Sequence, residues 1–222
     1  GKLINLDEKT NNGKNLFGTL GIGHTRWATH GKPTDINSHP HMSQSKNFAV
    51  VHNGIIENYV ELKTFLQEEG YTFISETDTE VVSHLLEYYY EGNIIDSLFK
   101  VLEKVEGAYA LGIICADDPT TLVAVRKDSP LIVGIGDGEN YIASDIPAIL
   151  TYTRDVYLLD EKEIAIITKN NIKIIDENKK EKKKAVFSVN WDVTAAEKGG
   201  YDHFMLKEIM EQPKSAKDTI MP

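Results

Sequence analysis

The spacing of apolar residues changes near Gly107, and this change constrains the fold more than any other feature of the sequence. Before Gly107, the segments 58–70, 77–89 and 94–105 have the apolar spacing of amphipathic helices. After it, short runs of β-branched residues alternate with turn sequences, which indicates hairpins. Helices grouped early and hairpin-linked strands grouped later are typical of an α+β protein with largely antiparallel sheets.

Two of the helical segments begin with the sequence pattern of a capping box, in which a polar residue is followed three positions later by glutamate. The first pair is Asn58 with Glu61, and the second is Thr77 with Glu80. Gly70 occupies the position of a residue that ends the first helix. The pattern therefore predicts where both helices start and where the first one stops.

The remaining elements are predicted from apolar runs and turn residues. Residues 1–14 are expected to be loosely held, and a last helix is predicted over 201–212, ended by Pro213. Strands are predicted at 16–22, 48–51, 109–115, 122–126, 131–135, 141–144, 164–167 and 172–175. Residues 131–144 and 164–175 should each form a hairpin, and 179–184 a solvated basic turn.

Composition limits the possible partners and compartment. The chain has 24 Lys+Arg against 34 Asp+Glu, a net charge of −10, so a nucleic-acid partner is not expected. Its single cysteine excludes an internal disulfide and fits a reducing cytoplasm. Because the apolar runs are too short to span a bilayer, we expect a cytoplasmic protein without a membrane partner.

Five of the seven histidines lie in residues 23–54. His39 and His41 could bind a metal, with His52 and Asp78 as further ligands. Alternatively, a loop rich in proline orients these rings for hydrogen bonding. Since neither an HExxH motif nor a cysteine pair accompanies them, the second interpretation is favoured and no metal is predicted.

Asn53 and Gly54 have two interpretations that these residues alone leave open. An Asn-Gly pair is typical of a two-residue hairpin turn, although a helix cap rather than a matching strand follows it. An amide side chain beside a glycine N–H can also form an oxyanion hole, which stabilises a negative oxygen during acyl transfer.

Three further residues have both a chemical and a structural interpretation. Arg26 could bind a carboxylate or make a surface ion pair, and Asp78 could bind an ammonium group or stabilise a helix N-terminus. Together they would recognise the two charged groups of a free amino acid. Cys115 could act as a nucleophile, but it lies in an apolar strand, where a buried structural cysteine is the expected residue.

Four sequence blocks occur in an order that resembles a known family. Residues 24–31 are HTRWATHG, 37–41 are NSHPH, 51–58 are VHNGIIEN and 75–80 are SETDTE. These blocks resemble the glutaminase domain of the glutamine–fructose-6-phosphate aminotransferases, which are class II glutamine amidotransferases. The likeness extends from the start of the chain to Gln212 and Pro213.

The resemblance implies a fold, a reaction and a site. The fold is the N-terminal-nucleophile fold, two antiparallel sheets between helix layers. The family hydrolyses L-glutamine and transfers its ammonia to fructose 6-phosphate, which yields glucosamine 6-phosphate, without a cofactor or metal. The implied site consists of Arg26 for the α-carboxylate, aided by Thr29, His30 and His39, Asp78 for the α-ammonium, Asn53 and Gly54 as oxyanion hole, and Trp27 as gate to the ammonia path.

One departure from the family bears on activity. The family starts with a cysteine whose thiol attacks glutamine and whose α-amino group acts as the base. This sequence begins at Gly1, at a point that resembles the interior of the family domain. We therefore expect the nucleophile, its strand and the following helix to be missing from this chain, and the chain to be inactive.

The resemblance also implies an organisation in two parts. Residues 1–195 are predicted to form the glutaminase domain, and 196–222 a linker helix toward a sugar-isomerase half. The parent protein is expected to be a homodimer, with L-glutamine and the sugar-isomerase half as partners. The alternative function is a non-catalytic or metal-binding module that uses the histidines from His24 to His52.

Overall fold

Two antiparallel sheets form the centre of the protein in the computed structural model, which describes residues 3–26, 30–190 and 199–220. Within these residues the larger sheet has the order β1-β2-β3-β4-β8-β9, and the smaller has the order β10-β7-β5-β6. The strands are β1 His41–Met42, β2 Phe48–Ile56, β3 Gly107–Cys115, β4 Asp118–Lys127, β5 Ile132–Ile135, β6 Asn140–Ala143, β7 Asp155–Leu158, β8 Ile164–Ile167, β9 Ile172–Ile175 and β10 Phe187–Ser188.

Three of the helices cover one face of the larger sheet. The helices are α1 Leu3–Thr10, α2 Tyr59–Glu68, α3 Glu80–Tyr88, α4 Ile94–Leu102 and α5 Phe204–Ile220. Side chains from α2, α3 and α4 form one core with alternate residues of β2 and β3, such as Val50 and Leu111. These buried side chains hold the helix layer against the sheet through the removal of apolar surface from water.

The other face of the larger sheet packs against the smaller sheet. Small side chains such as Ala110 and Ala124 lie in this second core, together with Val133 of β5. On the outer face of the smaller sheet, Ile146 and Ile149 pack against Ile132. The predicted α+β class, with two antiparallel sheets and a helix layer, is confirmed, and so are both predicted hairpins.

The strand that carries the candidate site is longer than the sequence predicts. β2 continues to Ile56, and it pairs with β3 without interruption from Phe48↔Cys115 to Ile56↔Gly107. Asn53 and Gly54 therefore lie inside a strand, and the hairpin-turn interpretation of this pair is wrong.

The strand predicted at 16–22 is absent. Leu20 and Ile22 pack against the core between the sheets, but their backbone belongs to no ladder. Residues 18–23 instead line a cavity of about 760 Å³ together with residues 138–142 of the smaller sheet. A strand needs an adjacent edge with free N–H and C=O groups, and the backbone of this segment borders the cavity instead.

Both chain ends differ from expectation. Residues 3–10 form α1, although none of its residues is buried. The last helix, α5, continues through Pro213 rather than ending there. Proline removes one helical hydrogen bond, and on an exposed helix the freed carbonyl can bond to water. The predicted boundary near residue 195 falls in 191–198, outside the described residues, and the two-part division stays a prediction.

Neither capping box forms as the sequence predicts. The Asn58 side chain makes no cap bond; it donates to the Lys104 carbonyl at 2.8 Å and accepts from the Glu106 N–H at 3.0 Å. Helix α3 begins at Glu80 itself, with Thr79 as its N-cap residue. The Asn58 side chain bonds to residues distant in the sequence, which local spacing does not reveal.

No helix among the described residues is long and apolar enough to cross a membrane.

Gly107 and Gly70 provide a test of the β2–β3 pairing. Both have positive φ, but a Cβ at Gly107 would overlap the Ile55 carbonyl oxygen, whereas a Cβ at Gly70 meets open space. We expect Gly70→Ala to cost about 1 kcal/mol, the backbone penalty alone, and Gly107→Ala to cost several-fold more. Urea denaturation of both variants measures this difference. Equal losses would show that β2 and β3 approach less closely at this point.

Candidate functional site

The end of β2 and three loops bring polar side chains together. Five rings, called here the histidine cluster, lie among them: His24, His30, His39, His41 and His52. The ring centroids of His24 and His39 are 4.4 Å apart, and those of His39 and His41 are 4.9 Å apart. The cluster thus joins rings of β1 and β2 to rings of the residues that precede β1.

The contact between His24 and Asn53 fixes the orientation of the asparagine amide. The backbone N–H of Arg26 donates to His24 Nδ1 at 2.8 Å, so a neutral ring carries its proton on Nε2. This Nε2 lies 2.6 Å from Asn53 Oδ1 and donates to it. The amide nitrogen of Asn53 consequently points away from His24 and donates to Ser144 Oγ at 2.6 Å, just beyond β6.

Arg26 organises the loop that follows it. Its φ is +55°, and its guanidinium donates to the carbonyl oxygens of His30 at 2.8 Å, Gly31 at 3.1 Å and Lys32 at 3.0 Å. Within the described residues Arg26 has no carboxylate partner. The surface ion pair considered from the sequence is therefore not formed, and the positive charge has only neutral acceptors.

Asp78 is buried beside the end of β2, with 3 % of its surface exposed. Its Oδ2 accepts the backbone N–H of Ile56 at 2.8 Å, and it lies 4.0 Å from His52 Nδ1. Its Oδ1 lies 3.8 Å from His30 Nδ1. Asp78 precedes α3 rather than lying in its first turn, and its oxygen accepts the N–H of Ile56 in β2 rather than an N–H of the helix.

Two threonines that the sequence did not predict as site residues, Thr77 and Thr79, flank Asp78 and contact the histidine cluster. Thr79 Oγ1 lies 3.0 Å from His39 Nε2 and 2.9 Å from His52 Nδ1, and Thr77 Oγ1 lies 3.0 Å from His41 Nε2. The Thr-x-Thr alternation around Asp78 places both hydroxyls toward the imidazoles. This alternation could have identified the two threonines as site residues from the sequence, but the same residues also fit the pattern of a capping box.

Burial keeps three of the imidazoles neutral. It lowers the pKa of His39 to about 3, assisted by the neighbouring histidines and Arg26, and it lowers the pKa of His41 and His52 as well. Their nitrogens bond to threonine hydroxyls. Among the residues that the structure describes, no group of three or more His, Cys, Asp or Glu could hold a metal ion.

The predicted site residues are linked but do not share one face of the sheet. Asn53 pairs with Ala110, whose side chain lies between the sheets, whereas His52 pairs with Leu111 on the helix side, where Asp78 lies. Trp27 and Thr29 lie outside the described residues. Contacts link most of the remaining predicted residues: Asn53 to His24, His24 to Arg26, Arg26 to His30, and His30 to Asp78, while the His39 ring lies beside that of His24. Gly54 has its place through the pairing of β2 with β3.

Cys115 lies far from this site. It is 3 % exposed and pairs with Phe48 at the opposite end of the β2–β3 ladder. Five residues of strand separate it from Ala110, the partner of Asn53, which corresponds to roughly 17 Å. The structural interpretation of this cysteine agrees with its position in the helix-side core.

Residues 24–151 match the family model described as a glutamine amidotransferase domain. The chain is 66% identical over 205 residues to a relative from Caldanaerobacter subterraneus subsp. tengcongensis, covering 92% of this chain and 34% of the relative. It is 57% identical over 220 residues to one from Clostridium tetani, covering 99% and 36%. Both are named glutamine–fructose-6-phosphate aminotransferase [isomerizing]. The chain thus spans about a third of the length of these curated relatives.

Solved structures of similar fold support the same family. One is the glutamine phosphoribosylpyrophosphate amidotransferase from B. subtilis, complexed with ADP and GMP, with a TM-score of 0.58. Another is described as the allosteric regulatory enzyme of purine biosynthesis, with a TM-score of 0.60. Each is 27% identical to this chain and covers 69% of it and 34% of its own length.

The neutral histidines predict how stability depends on pH. Their pKa in the folded protein lies below the value of about 6.5 in an unfolded chain, so protons bind first to the unfolded state. We expect the free energy of unfolding to be insensitive to these groups above pH about 6.5 and to fall progressively as the pH is lowered below it. Urea denaturation across a pH series measures this slope.

Two variants test whether the pH dependence of the free energy of unfolding comes from the histidine cluster. His39→Asn should make it shallower, because one ring that resists protonation is removed, and His203→Asn, at an exposed position, should leave it unchanged. A slope that both variants alter equally, or that neither alters, would contradict the neutral state of the buried rings.

Proposed function

Because the chain belongs to the glutamine amidotransferase family, we propose that residues 1–222 form the glutaminase part of a glutamine–fructose-6-phosphate aminotransferase. In this role the parent enzyme hydrolyses L-glutamine and transfers the ammonia to fructose 6-phosphate, giving glucosamine 6-phosphate. The observation that carries the proposal is the identity to relatives of that name over almost the whole chain.

The amino-acid end of glutamine fits the two charged groups of the site. The Arg26 guanidinium is assigned to the α-carboxylate, because among the described residues its bonds are to neutral carbonyl oxygens. The Asp78 carboxylate is assigned to the α-ammonium. His30, which approaches Asp78, and His39, which contacts Thr79, join Trp27 and Thr29 as the remaining proposed binding residues.

The amide end of glutamine is assigned to Asn53 and Gly54. Attack on the side-chain amide creates a negative oxygen, which preorganised N–H donors stabilise in the transition state. The Asn53 amide nitrogen is oriented for this role by the bond from His24 to its oxygen. The site thereby separates binding, at Arg26 and Asp78, from stabilisation of the reacting oxygen.

The parent protein is proposed to contain a second part in addition to this chain. We assign residues 1–195 to the glutaminase domain and 196–222 to a linker toward a sugar-isomerase half, the acceptor of ammonia. We further propose that the parent is a cytoplasmic homodimer. The share of the relatives that this chain covers is consistent with a second, larger part.

A polypeptide of residues 1–222 alone is expected to bind glutamine without hydrolysing it. Its first residue is Gly1, and its one cysteine is buried at the far end of β3. An oxyanion hole accelerates nothing when no nucleophile generates the tetrahedral intermediate. Ammonia release from L-glutamine should therefore stay at the background rate, while glutamine binding remains measurable by calorimetry.

The matched comparison is the same chain extended at its N-terminus to begin with the family's cysteine. Ammonia release by the extended form and not by residues 1–222 is the expected result, and Asn53→Ala in the extended form should lower the rate by about a hundredfold. Turnover by residues 1–222 at a similar rate would contradict the proposal and direct attention to Cys115.

A further inference from the structure

Glu80 is a buried carboxylate to which the proposed site assigns no task. It begins α3 and is 2 % exposed. Its Oε1 accepts the backbone N–H of Ile74 at 2.9 Å, and its Oε2 accepts the backbone N–H and the hydroxyl of Ser75 at 2.7 Å and 2.5 Å. The Glu80 side chain thus hydrogen-bonds to both Ile74 and Ser75, the first two residues of the segment 74–80.

The ionised form of Glu80 is the form that makes these bonds. Burial alone would raise its pKa, but the nearby His84 ring and the hydrogen bonds from Ile74 and Ser75 outweigh this effect and lower the pKa to about 2. His84 Nε2 lies 3.5 Å from Oε1, one helical turn further along α3. A buried charge is costly unless such partners compensate it. The presence of this charge therefore indicates that the conformation of the segment before α3 has to be fixed.

The bonds continue from Ser75 to the residues around Asp78. Ser75 Oγ accepts the Thr77 N–H at 3.3 Å and lies 3.1 Å from Thr77 Oγ1, which in turn contacts His41. Asp78 follows directly and leads into Thr79 and Glu80. The carboxylate of Glu80 therefore closes residues 74–80 into a loop with Asp78 inside it.

This loop leaves one oxygen of Asp78 available. Oδ2 is used by the Ile56 N–H, whereas within the described residues Oδ1 has no hydrogen bond. The nearby His30 Nδ1, at 3.8 Å, is a buried nitrogen that also has no hydrogen-bond partner there. Buried polar atoms are rarely left unpaired, and the pair marks a place where a donor would be accommodated.

We propose that Glu80 is a positioning residue for ammonium recognition: its carboxylate fixes the loop 74–80 so that Asp78 Oδ1 is directed at the α-ammonium of the bound amino acid. The inference rests on the proposed function, since Asp78 must be the ammonium site for Glu80 to act through it. Glu80 itself touches no substrate.

The loop geometry makes this role separable from general stabilisation. If Glu80 only stabilised the fold, its loss would weaken every ligand of the site to a similar degree. If it positions Asp78, its loss should weaken only ligands that carry the α-ammonium. Glutaramate, which is glutamine without its α-amino group, provides the comparison.

Helix α3 also offers a matched control. Glu87, at the other end of the helix, accepts the backbone N–H of Ser45 at 2.9 Å and its hydroxyl, and it thereby fixes a different loop. Glu80→Gln and Glu87→Gln make the same chemical change on the same helix. Only the first should alter recognition of the ammonium group.

The test is calorimetric titration of residues 1–222 and its variants with L-glutamine and with glutaramate. For Glu80→Gln we expect the affinity for glutamine to fall about tenfold while that for glutaramate changes by less than about twofold. Asp78→Asn should give the same selective loss, and Glu87→Gln should affect neither ligand selectively. If Glu80→Gln does not fold, as circular dichroism would show, Ser75→Ala takes its place with the same expected pattern.

The variants distinguish the two proposals. A selective loss in Asp78→Asn but a parallel loss, or none, in Glu80→Gln overturns the positioning role alone. No selectivity in Asp78→Asn, or no glutamine binding by the unaltered chain, overturns the proposed function and this inference with it.

Discussion

The uninterrupted pairing of β2 with β3 is the constraint on which the site depends. Nine residue pairs hold the two strands in one register, and glycine stands on both strands where the backbones are closest, at Gly54 and Gly107. Since side chains alternate along a strand, this register directs His52 to the helix side and Asn53 to the space between the sheets. The adjacent residues His52 and Asn53 therefore place the two parts of the candidate site on opposite faces of β2.

The contacts within the candidate site are mainly between neutral groups. Imidazoles bond to the hydroxyls of Thr77 and Thr79, and the guanidinium of Arg26 bonds to backbone carbonyls. Buried neutral histidines avoid the cost of unpaired buried charge at neutral pH. In the proposed complex, the Arg26 guanidinium would bind the α-carboxylate of the amino acid and the Asp78 carboxylate its α-ammonium.

The sequence predicted the parts of the fold that local patterns determine. The apolar spacing located α2, α3 and α4, and turn residues located both hairpins, because these features depend on neighbours along the chain. The strand predicted at 16–22 failed because strand formation requires an adjacent edge, which apolar alternation does not reveal. Asn58 and Glu80 failed as capping residues for a similar reason: each bonds to groups outside the pattern that the local sequence suggested.

The candidate site was likewise predictable as a set of residues, but not as a network. The four sequence blocks contained Arg26, Asn53 and Asp78, and they also contained His24, Thr79 and Glu80, but they did not show which of these side chains contact one another. The most direct measurement is a crystal structure of residues 1–222 grown with L-glutamine. We expect the α-carboxylate against Arg26, the α-ammonium at Asp78 Oδ1 and the side-chain amide toward Asn53 and Gly54. Glutamine bound instead in the cavity lined by residues 18–23, with Asp78 and Arg26 unoccupied, would contradict it.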